Sequence, residues 1–489
     1  MIVNTLLALL SAAMLVLLFP PYNLNWLAPI AVAPLTVACA RAGSWKARFA
    51  LGYLAGVVYW FGVCHWISWT LAHHAGVSSL TAWLLFALFC LAKAVQMGIF
   101  GVLAAPLARS PLALPGIGAL WVVLEWSHIH TAFEWLLLGN AGSNMALPLR
   151  LAPYTGVWGL SFLFATLGAA VAILILRRNR IAVAFLLLWP VLWLLPGMNA
   201  PQPATASAVV LQPNIDDETL WTSELLRATT KRLEVLSIAP VLSGERKADL
   251  IVWPEIPLPF YDSDPEFRKL ISSIAERSGA AFVSGAVAHG SGKAPLNSAM
   301  LVAPDGAIVA RYDKVNLVPF GEFVPWPFGS ITNKVSTEAG DFEPGQHVVV
   351  AQLGPHKVGA FICYETVFPG YVREFAANGA EVLLNISNDS WFGHTQARYQ
   401  HLLIARMRAA ENRRWVLRVT NNGVTAAIDP AGRIRRSTQE FQEVVARMPF
   451  GYATAQTFYT RWGDWFVAAC AAFATFSLAL AARGRWRVE

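Results

Sequence analysis

The 489-residue chain is 56% hydrophobic and 14% charged, which excludes a single ordinary soluble domain and points to a protein lying at least partly in a membrane. Its formal net charge of +7 does not call for a nucleic-acid partner, because the cations gather at the ends of apolar runs, where they report membrane topology. The apolar residues are unevenly spread. Met1 to about Met198 is nearly continuous hydrophobic sequence, Pro201 to about Tyr459 reads as an α/β chain, and Trp465 to Ala482 is apolar again. We therefore expect three sections: a membrane section over 1–200, a folded domain over 201–459, and a last membrane helix with a basic tail over 460–489.

In chain order, apolar runs of roughly 17 to 25 residues, the length that crosses a bilayer, fall near 3–20, 25–40, 49–70, 79–107, 114–128, 157–176 and 181–197, with another at 465–482. They predict about eight transmembrane helices. The first lacks a basic leading region and is followed directly by further spans, so it reads as a retained helix and not as a cleaved signal. Arg41, Lys46 and Arg48, then Arg109, then Arg177, Arg178 and Arg180, then Arg483, Arg485 and Arg487 mark every second connection. The alternate connections "PPYNLNW" and "LAHHAGVSS" carry no Lys or Arg. Basic loops stay in the cytoplasm, which places both termini there and the 201–459 domain on the other side.

Within that domain the runs "ASAVVLQPN", "ADLIVWPE", "AAFVSGA", "SAMLVAPDG", "VGAFICYE", "VLLNISND" and "RWVLRVTNNG" are apolar throughout, as expected of strands covered on both faces. Helical segments alternate with them, which predicts a layered α/β sandwich. One helix can be delimited: Asp264 suits an N-cap, Pro265 the first turn and Gly279 the stop, with Phe267, Leu270, Ile271 and Ile274 on one face. Polar residues stand at strand ends: Glu255, Cys363 with Glu365, Asn388 with Asp389, and Asn421 with Asn422. Sites in α/β sheets gather at such carboxyl ends.

Of five cysteines, Cys39, Cys64, Cys90 and Cys470 fall in predicted spans, leaving Cys363 as the one thiol of the exported domain. A free cysteine is often a small core hydrophobe. A nucleophilic one needs a base for its proton and a donor for the oxyanion formed at an attacked carbonyl; Glu255 and Lys314 could serve, although a strand-end Glu is usually solvated and a loop Lys usually binds nothing. Trp253-Pro254-Glu255, Tyr312-Asp313-Lys314 and Ile362-Cys363-Tyr364-Glu365 resemble the Glu-Lys-Cys triad of the nitrilase, or carbon–nitrogen hydrolase, superfamily. Within it, "LVPFGEFVPW" (317–326), "NDSWFG" (388–393), "QHLLIARMRAAENRRWVLRVTNNG" (400–423), "FEWLLLGN" and "YTGVWGLSF" resemble the apolipoprotein N-acyltransferase family.

That resemblance implies an α-helical membrane domain joined to an exported nitrilase-like α-β-β-α sandwich, in a bacterial inner membrane. It also implies transfer of a fatty acyl chain from a phospholipid, through a thioester on Cys363, to the N-terminal α-amine of a diacylglyceryl-cysteine lipoprotein. Glu255 would be the base and Lys314 the oxyanion donor, with Glu322, Glu365, Tyr364 and Asn297 in support and no cofactor. Trp221, Phe320 and Trp391 would face substrate; Phe323, Val324, Trp326, Phe328 and Phe392 extend the two candidate apolar arms, and ordinary core or interfacial packing is the plain alternative for all of these aromatics. The chain departs from the family pattern at "LGNAGSNMA" (138–146), at "LQPNI" and at Asn316; none touches the triad, and the first two bear on lipid access. Two rivals share parts of this pattern. A membrane-tethered amidase using water would keep the triad, and a transporter would use intramembrane polar residues such as His65, Lys93, Glu125, Glu134 or the His73-His74 loop. His394 and His401 lack partners at metal-ligand spacing.

Overall fold

A computed structural model describes residues 1–483 except 75, 132, 178–179, 199–202, 245, 291, 293, 320 and 324–341. Arg178, Arg485, Arg487, Phe320, Val324, Trp326 and Phe328 thus lie outside the described residues. The chain divides into two compact units, one of residues 1–73, 77–198 and 462–489, the other of 74–76 and 199–461.

Among the described residues of the first unit, four helices are long and apolar enough to cross a membrane: Trp45–Cys64, Ser79–Leu107, Val157–Arg177 and Trp465–Arg483. Two shorter apolar helices, Ile2–Leu17 and Ala113–Trp126, accompany them. The run near 25–40 differs from its expectation. It folds as a 3-10 turn at Asn25–Leu27 and a helix of 9 residues, Ala33–Arg41, because prolines 29 and 34 lack the N–H a continuous helix would use. The run near 181–197 is likewise broken, into Arg180–Leu186, Leu188–Val191 and Leu192–Leu194. Buried Arg150 takes up the carbonyls freed at its end, donating to Trp193 (3.2 Å) and Leu195 (2.8 Å). Lys93 is buried and donates to the Phe133 carbonyl at 2.8 Å, its ammonium 5.1 Å from the Trp60 ring centre. Glu125, also buried, accepts the Leu138 N–H at 2.7 Å. These are packing arrangements of the kind that satisfies a polar group within apolar surroundings.

The described residues of the second unit form two six-stranded sheets. Its strands are β1 (Ala206–Gln212), β2 (Leu250–Val252), β3 (Ala281–His289), β4 (Pro295–Val302), β5 (Ile308–Asp313), β6 (Val350–Leu353), β7 (His356–Ile362), β8 (Val382–Ser387), β9 (Val416–Thr420), β10 (Ala426–Ile428), β11 (Ile434–Ser437) and β12 (Val444–Phe450). One sheet runs β12-β1-β2-β3-β4-β5 and the other β11-β10-β9-β8-β7-β6. Each has three parallel strands at its centre, β1-β2-β3 and β7-β8-β9, flanked by antiparallel ones.

The period of two explains the unbroken apolar strands. Ala208, Val210, Leu250, Val252, Ala281 and Val283 enter a core shared with Val358, Ala360, Ile362, Leu384 and Val419 of the other sheet. Their neighbours Val209, Leu211, Ile251, Trp253 and Phe282 turn the other way, onto Phe267, Ile271 and Ile274 of the helix Pro265–Ser278. Asp264 caps that helix, its Oδ1 accepting from Glu266 N at 2.8 Å, and Gly279 ends it at φ +63, a left-handed conformation that glycine adopts without steric cost. Val372 and Phe375 of the helix Pro369–Ala377 and Leu402 and Ala405 of the helix Ala397–Asn412 pack with the strands of the second sheet, so helix, sheet, sheet and helix stack as layers, with the carboxyl ends of β2, β7 and β8 carrying Glu255, Cys363 and Asn388.

Candidate active site

Glu255 follows β2, and its backbone is pressed against β3: a Cβ at Gly285 would lie 2.7 Å from the Glu255 Cα. Only glycine permits that approach. Asn297, on β4 and 2% exposed, donates its amide hydrogens to two carboxylates, Glu255 Oε1 at 2.8 Å and Glu322 Oε1 at 2.9 Å. Lys314, just after β5 and 1% exposed, donates to the same two oxygens, at 3.3 Å and 2.8 Å. The remaining oxygens are also held, Glu255 Oε2 by Asn388 N at 2.7 Å and Glu322 Oε2 by Val318 N at 2.8 Å. Two carboxylates, one ammonium and one amide therefore form a closed buried cluster, the form in which buried charge is tolerated.

Cys363 opens the 3-10 turn Cys363–Val367 after β7 and takes φ +49, a left-handed backbone that costs a non-glycine residue about 1–3 kcal/mol and persists only where its surroundings over-determine it. Glu365 supplies one constraint. Fully buried, it accepts from Ile362 N at 2.7 Å on one oxygen, and from Tyr312 Oη at 2.6 Å, Val315 N at 2.8 Å and Asn316 N at 3.1 Å on the other. One carboxylate thus ties the Cys363 turn to the loop that carries Lys314.

The electrostatics follow from burial and these partners. Burial raises Glu255 above the usual carboxylate range, Lys314 opposes that and the Glu322 charge adds to it. Burial alone would lower Lys314, but the Glu255 and Glu322 carboxylates outweigh it and hold the ammonium charged. Burial, then the Glu255 charge, pushes the Cys363 thiol up, with Lys314 and a Ser387 hydrogen bond acting in the other direction. A thiol so placed stays protonated until a base receives its proton.

Of the remaining sequence candidates, Tyr364 is buried with its ring edge-on to Phe368 at 5.3 Å. Trp391 sits on the turn Asp389–Phe392, its Cζ3 3.6 Å from where a Cβ on Gly321 would stand, against the loop that bears Glu322. Trp221 packs, half-buried, on the outer cluster around Val209 and Phe267, away from the contacts that assemble the triad. His394 stacks on Phe441 at 4.0 Å. Among the described residues no group of three or more His, Cys, Asp or Glu is arranged to hold a metal ion.

Sequence reasoning weighed His401 only as a metal ligand and passed over Arg418, Asn385 and Ser387, all of which reach this site. His401 lies on the helix Ala397–Asn412, whose His401, Arg408 and Glu411 are all fully buried. Its Nε2 is 3.0 Å from the Cys363 carbonyl oxygen. The signal available was the helix itself, which carries polar residues round its circumference and offers no apolar-free face to water.

Comparison with known proteins agrees with this picture along the whole chain. The carbon-nitrogen hydrolase family model matches residues 186–456, and that of the apolipoprotein N-acyltransferase N-terminal domain matches 11–170. An apolipoprotein N-acyltransferase of Geobacter metallireducens is 34% identical, the match covering 98% of this chain and 95% of that protein. The chain belongs to the apolipoprotein N-acyltransferase family. A second member of that family, from Chlorobaculum tepidum, is 29% identical over 94% of this chain and 92% of its own. An amidase of Nesterenkonia sp. is similar over 55% of this chain and 97% of its own, at 17% identity and a TM-score of 0.38, a likeness too low to carry an argument. A section matching the N-terminal domain of that family, with helices long and apolar enough to cross a membrane, and a carbon–nitrogen hydrolase section are thus fused in one chain.

Proposed function

We propose that this protein transfers a fatty acyl chain from a phospholipid to the N-terminal α-amine of a diacylglyceryl-cysteine lipoprotein through a thioester on Cys363. One observation carries the reading: a buried Glu-Lys-Glu cluster beside a thiol on a strained turn, in a chain whose other section is a membrane domain of the apolipoprotein N-acyltransferase type.

Glu255 takes the Sγ proton as sulfur attacks the ester carbonyl. The C–S bond forms, the carbonyl electrons collect on oxygen, and Lys314 faces that oxyanion together with the Tyr364 N–H. Collapse breaks the ester C–O bond, and Glu255 returns its proton to the departing lysophospholipid oxygen. In the second half-reaction the lipoprotein α-amine attacks the thioester, Glu255 receives the amine proton, and sulfur leaves to be reprotonated as the amide is released. An α-amine has an unperturbed pKa near ~8, so a carboxylate raised by burial suffices as its base. Glu322 and Asn297 fix the positions of Lys314 and Glu255. Glu365 fixes the turn, and Trp391 and Phe392 belong to an apolar arm facing the lipid substrate.

The topology that fits this chemistry has about eight spans, the shorter apolar helices included. Both termini lie in the cytoplasm, and residues 201–459 face the outside of a bacterial inner membrane, because basic residues mark every second loop. The rival use of water by the same triad leaves the membrane section without a role. The test is a transfer assay in detergent micelles containing phospholipid labelled in its acyl chain and a diacylglyceryl-cysteine peptide. Label in an alkali-stable peptide amide supports the proposal, and label in free fatty acid alone refutes it in favour of the amidase.

A further inference from the structure

The turn at Cys363 is held from two sides, and the second side has no part in the chemistry above. His401 Nε2 lies 3.0 Å from the Cys363 carbonyl oxygen, which can only accept, so Nε2 carries the proton. Asn385 Nδ2 reaches the same oxygen at 3.4 Å. The other ring nitrogen, Nδ1, is 2.8 Å from Arg418 Nη2, and a guanidinium can only donate, so Nδ1 is the acceptor. Asp389 stands farther from Nδ1, at 3.4 Å, and is itself engaged by Arg418 Nη2 through both oxygens, at 2.9 Å and 2.8 Å. Ser387 Oγ donates to Asp389 Oδ1 at 3.1 Å. Asp389, Arg418 and His401 are each 2% exposed or less. Burial, and then the Arg418 charge, hold the imidazole below its ordinary pKa and therefore neutral. Burial would raise Asp389, but Arg418 and His401 outweigh it and keep it ionised.

In a planar trans peptide the C=O and the following N–H point in opposite directions. Whatever grips the Cys363 carbonyl therefore aims the Tyr364 N–H. We infer that His401, fixed by the Asp389–Arg418 pair as the Nε2–H tautomer, is a positioning residue that turns the Cys363–Tyr364 peptide so that the Tyr364 N–H meets the oxyanion of the acyl-transfer transition state. The left-handed φ of Cys363 is one such a peptide keeps only while it is clamped. Glu365 holds the chain just before the turn through Ile362 N, and His401 holds the Cys363 carbonyl itself. The inference rests on the thioester chemistry proposed above.

The test uses the full-length protein in detergent and compares wild type, His401→Leu and His401→Gln in two reactions of the same thiol. Acylation by phospholipid passes through an oxyanion, whereas alkylation by iodoacetamide does not. Loss of one oxyanion donor typically lowers rate by about 10²–10³, and Asn385 retains part of the hold, so His401→Leu is expected to acylate roughly 10–100-fold more slowly. KM should be unchanged within about twofold, the pattern of an interaction made only in the transition state. Alkylation should change by less than about threefold, and His401→Gln, whose amide N–H reaches the Nε2 position, should recover about tenfold of the loss. Acylation by His401→Leu within about twofold of wild type, a parallel fall in alkylation, or a glutamine no better than leucine overturns the inference. A wild type that alkylates but never acylates overturns this inference and the proposed function together. If His401→Leu does not fold, ¹⁵N NMR of the wild type decides: a protonated His401 Nε2 supports the clamp, and a neutral ring protonated at Nδ1 overturns it.

Discussion

Replacing Lys314 by methionine separates what this residue does for folding from what it does for catalysis. Lys314 Nζ stands between Glu255 and Glu322, at 3.3 Å and 2.8 Å, with its side chain 1% and theirs 9% exposed. Two carboxylates and one ammonium sum to −1. Methionine leaves −2 in the same closed space, with Asn297 still bonded to both acids. Removing one partner of a buried ionic group typically costs about 3–5 kcal/mol. At about 2–4 °C per kcal/mol for a domain of this size, Lys314→Met should lower the melting temperature by roughly 10 °C. The double variant Lys314→Met with Glu322→Gln restores the sum of −1 and should recover most of that loss. Activity should behave differently. Both variants lack the ammonium that faces the oxyanion, so both should acylate about 10²–10³-fold more slowly than wild type. Thermal unfolding followed by tryptophan fluorescence, with acyl-enzyme formation from phospholipid alongside, reads both quantities. A double variant as unstable as the single one, or one that regains activity, would refute the reasoning.

Glu365 takes four hydrogen bonds without exposure, so Glu365→Gln turns an amide N–H₂ against at least one donor and should slow acylation by about tenfold or more by loosening the turn. Burial pushes Glu365 up to about 6, above the ~4.3 of an unfolded glutamate. Its contribution to stability is therefore full below about 4.3 and is lost as pH rises through about 6, some ~2 kcal/mol in all. Melting curves of wild type and Glu365→Gln should converge between pH 4.5 and 7, and parallel curves would count against this. Because burial, and secondarily the Glu322 charge, raise Glu255, the acid limb of kcat/KM should lie above the ordinary carboxylate range and move to lower pH in Glu322→Gln; an unmoved limb would mean that another group titrates there. Glu234→Gln breaks the surface pairs with Lys231 and Arg277 and should cost less than about 1 kcal/mol without touching acylation. A larger loss of stability would show that surface pairs matter more here than exposure suggests.

Regular local signals were legible before the structure. Asp264, Pro265 and Gly279 delimit a helix that begins and ends where they predict, and "VLLNIS" and "RWVLRVT" contain β8 and β9. The carboxyl ends of separate strands do carry Glu255, Cys363 and Asn388. Hydropathy overstated helix length where proline intervenes, near Pro29, Pro34 and Pro190, since mean apolarity does not register a missing N–H. Least legible was the clamp. His401, Arg418 and Asp389 are separated by 12 to 29 positions, and only the packing of a largely buried helix on β9 joins them. Spacing rules find metal ligands and capping boxes, but not a hydrogen bond from a helix to the carbonyl of a distant cysteine.

The most direct test of the central claim is intact-mass spectrometry of the detergent-purified protein after incubation with phospholipid, beside Cys363→Ala, followed by addition of a diacylglyceryl-cysteine peptide. The account predicts a fatty-acyl increment on the wild type alone, which disappears as the peptide gains the same mass in an amide. An increment that persists in Cys363→Ala, or one discharged only as free fatty acid, would contradict it.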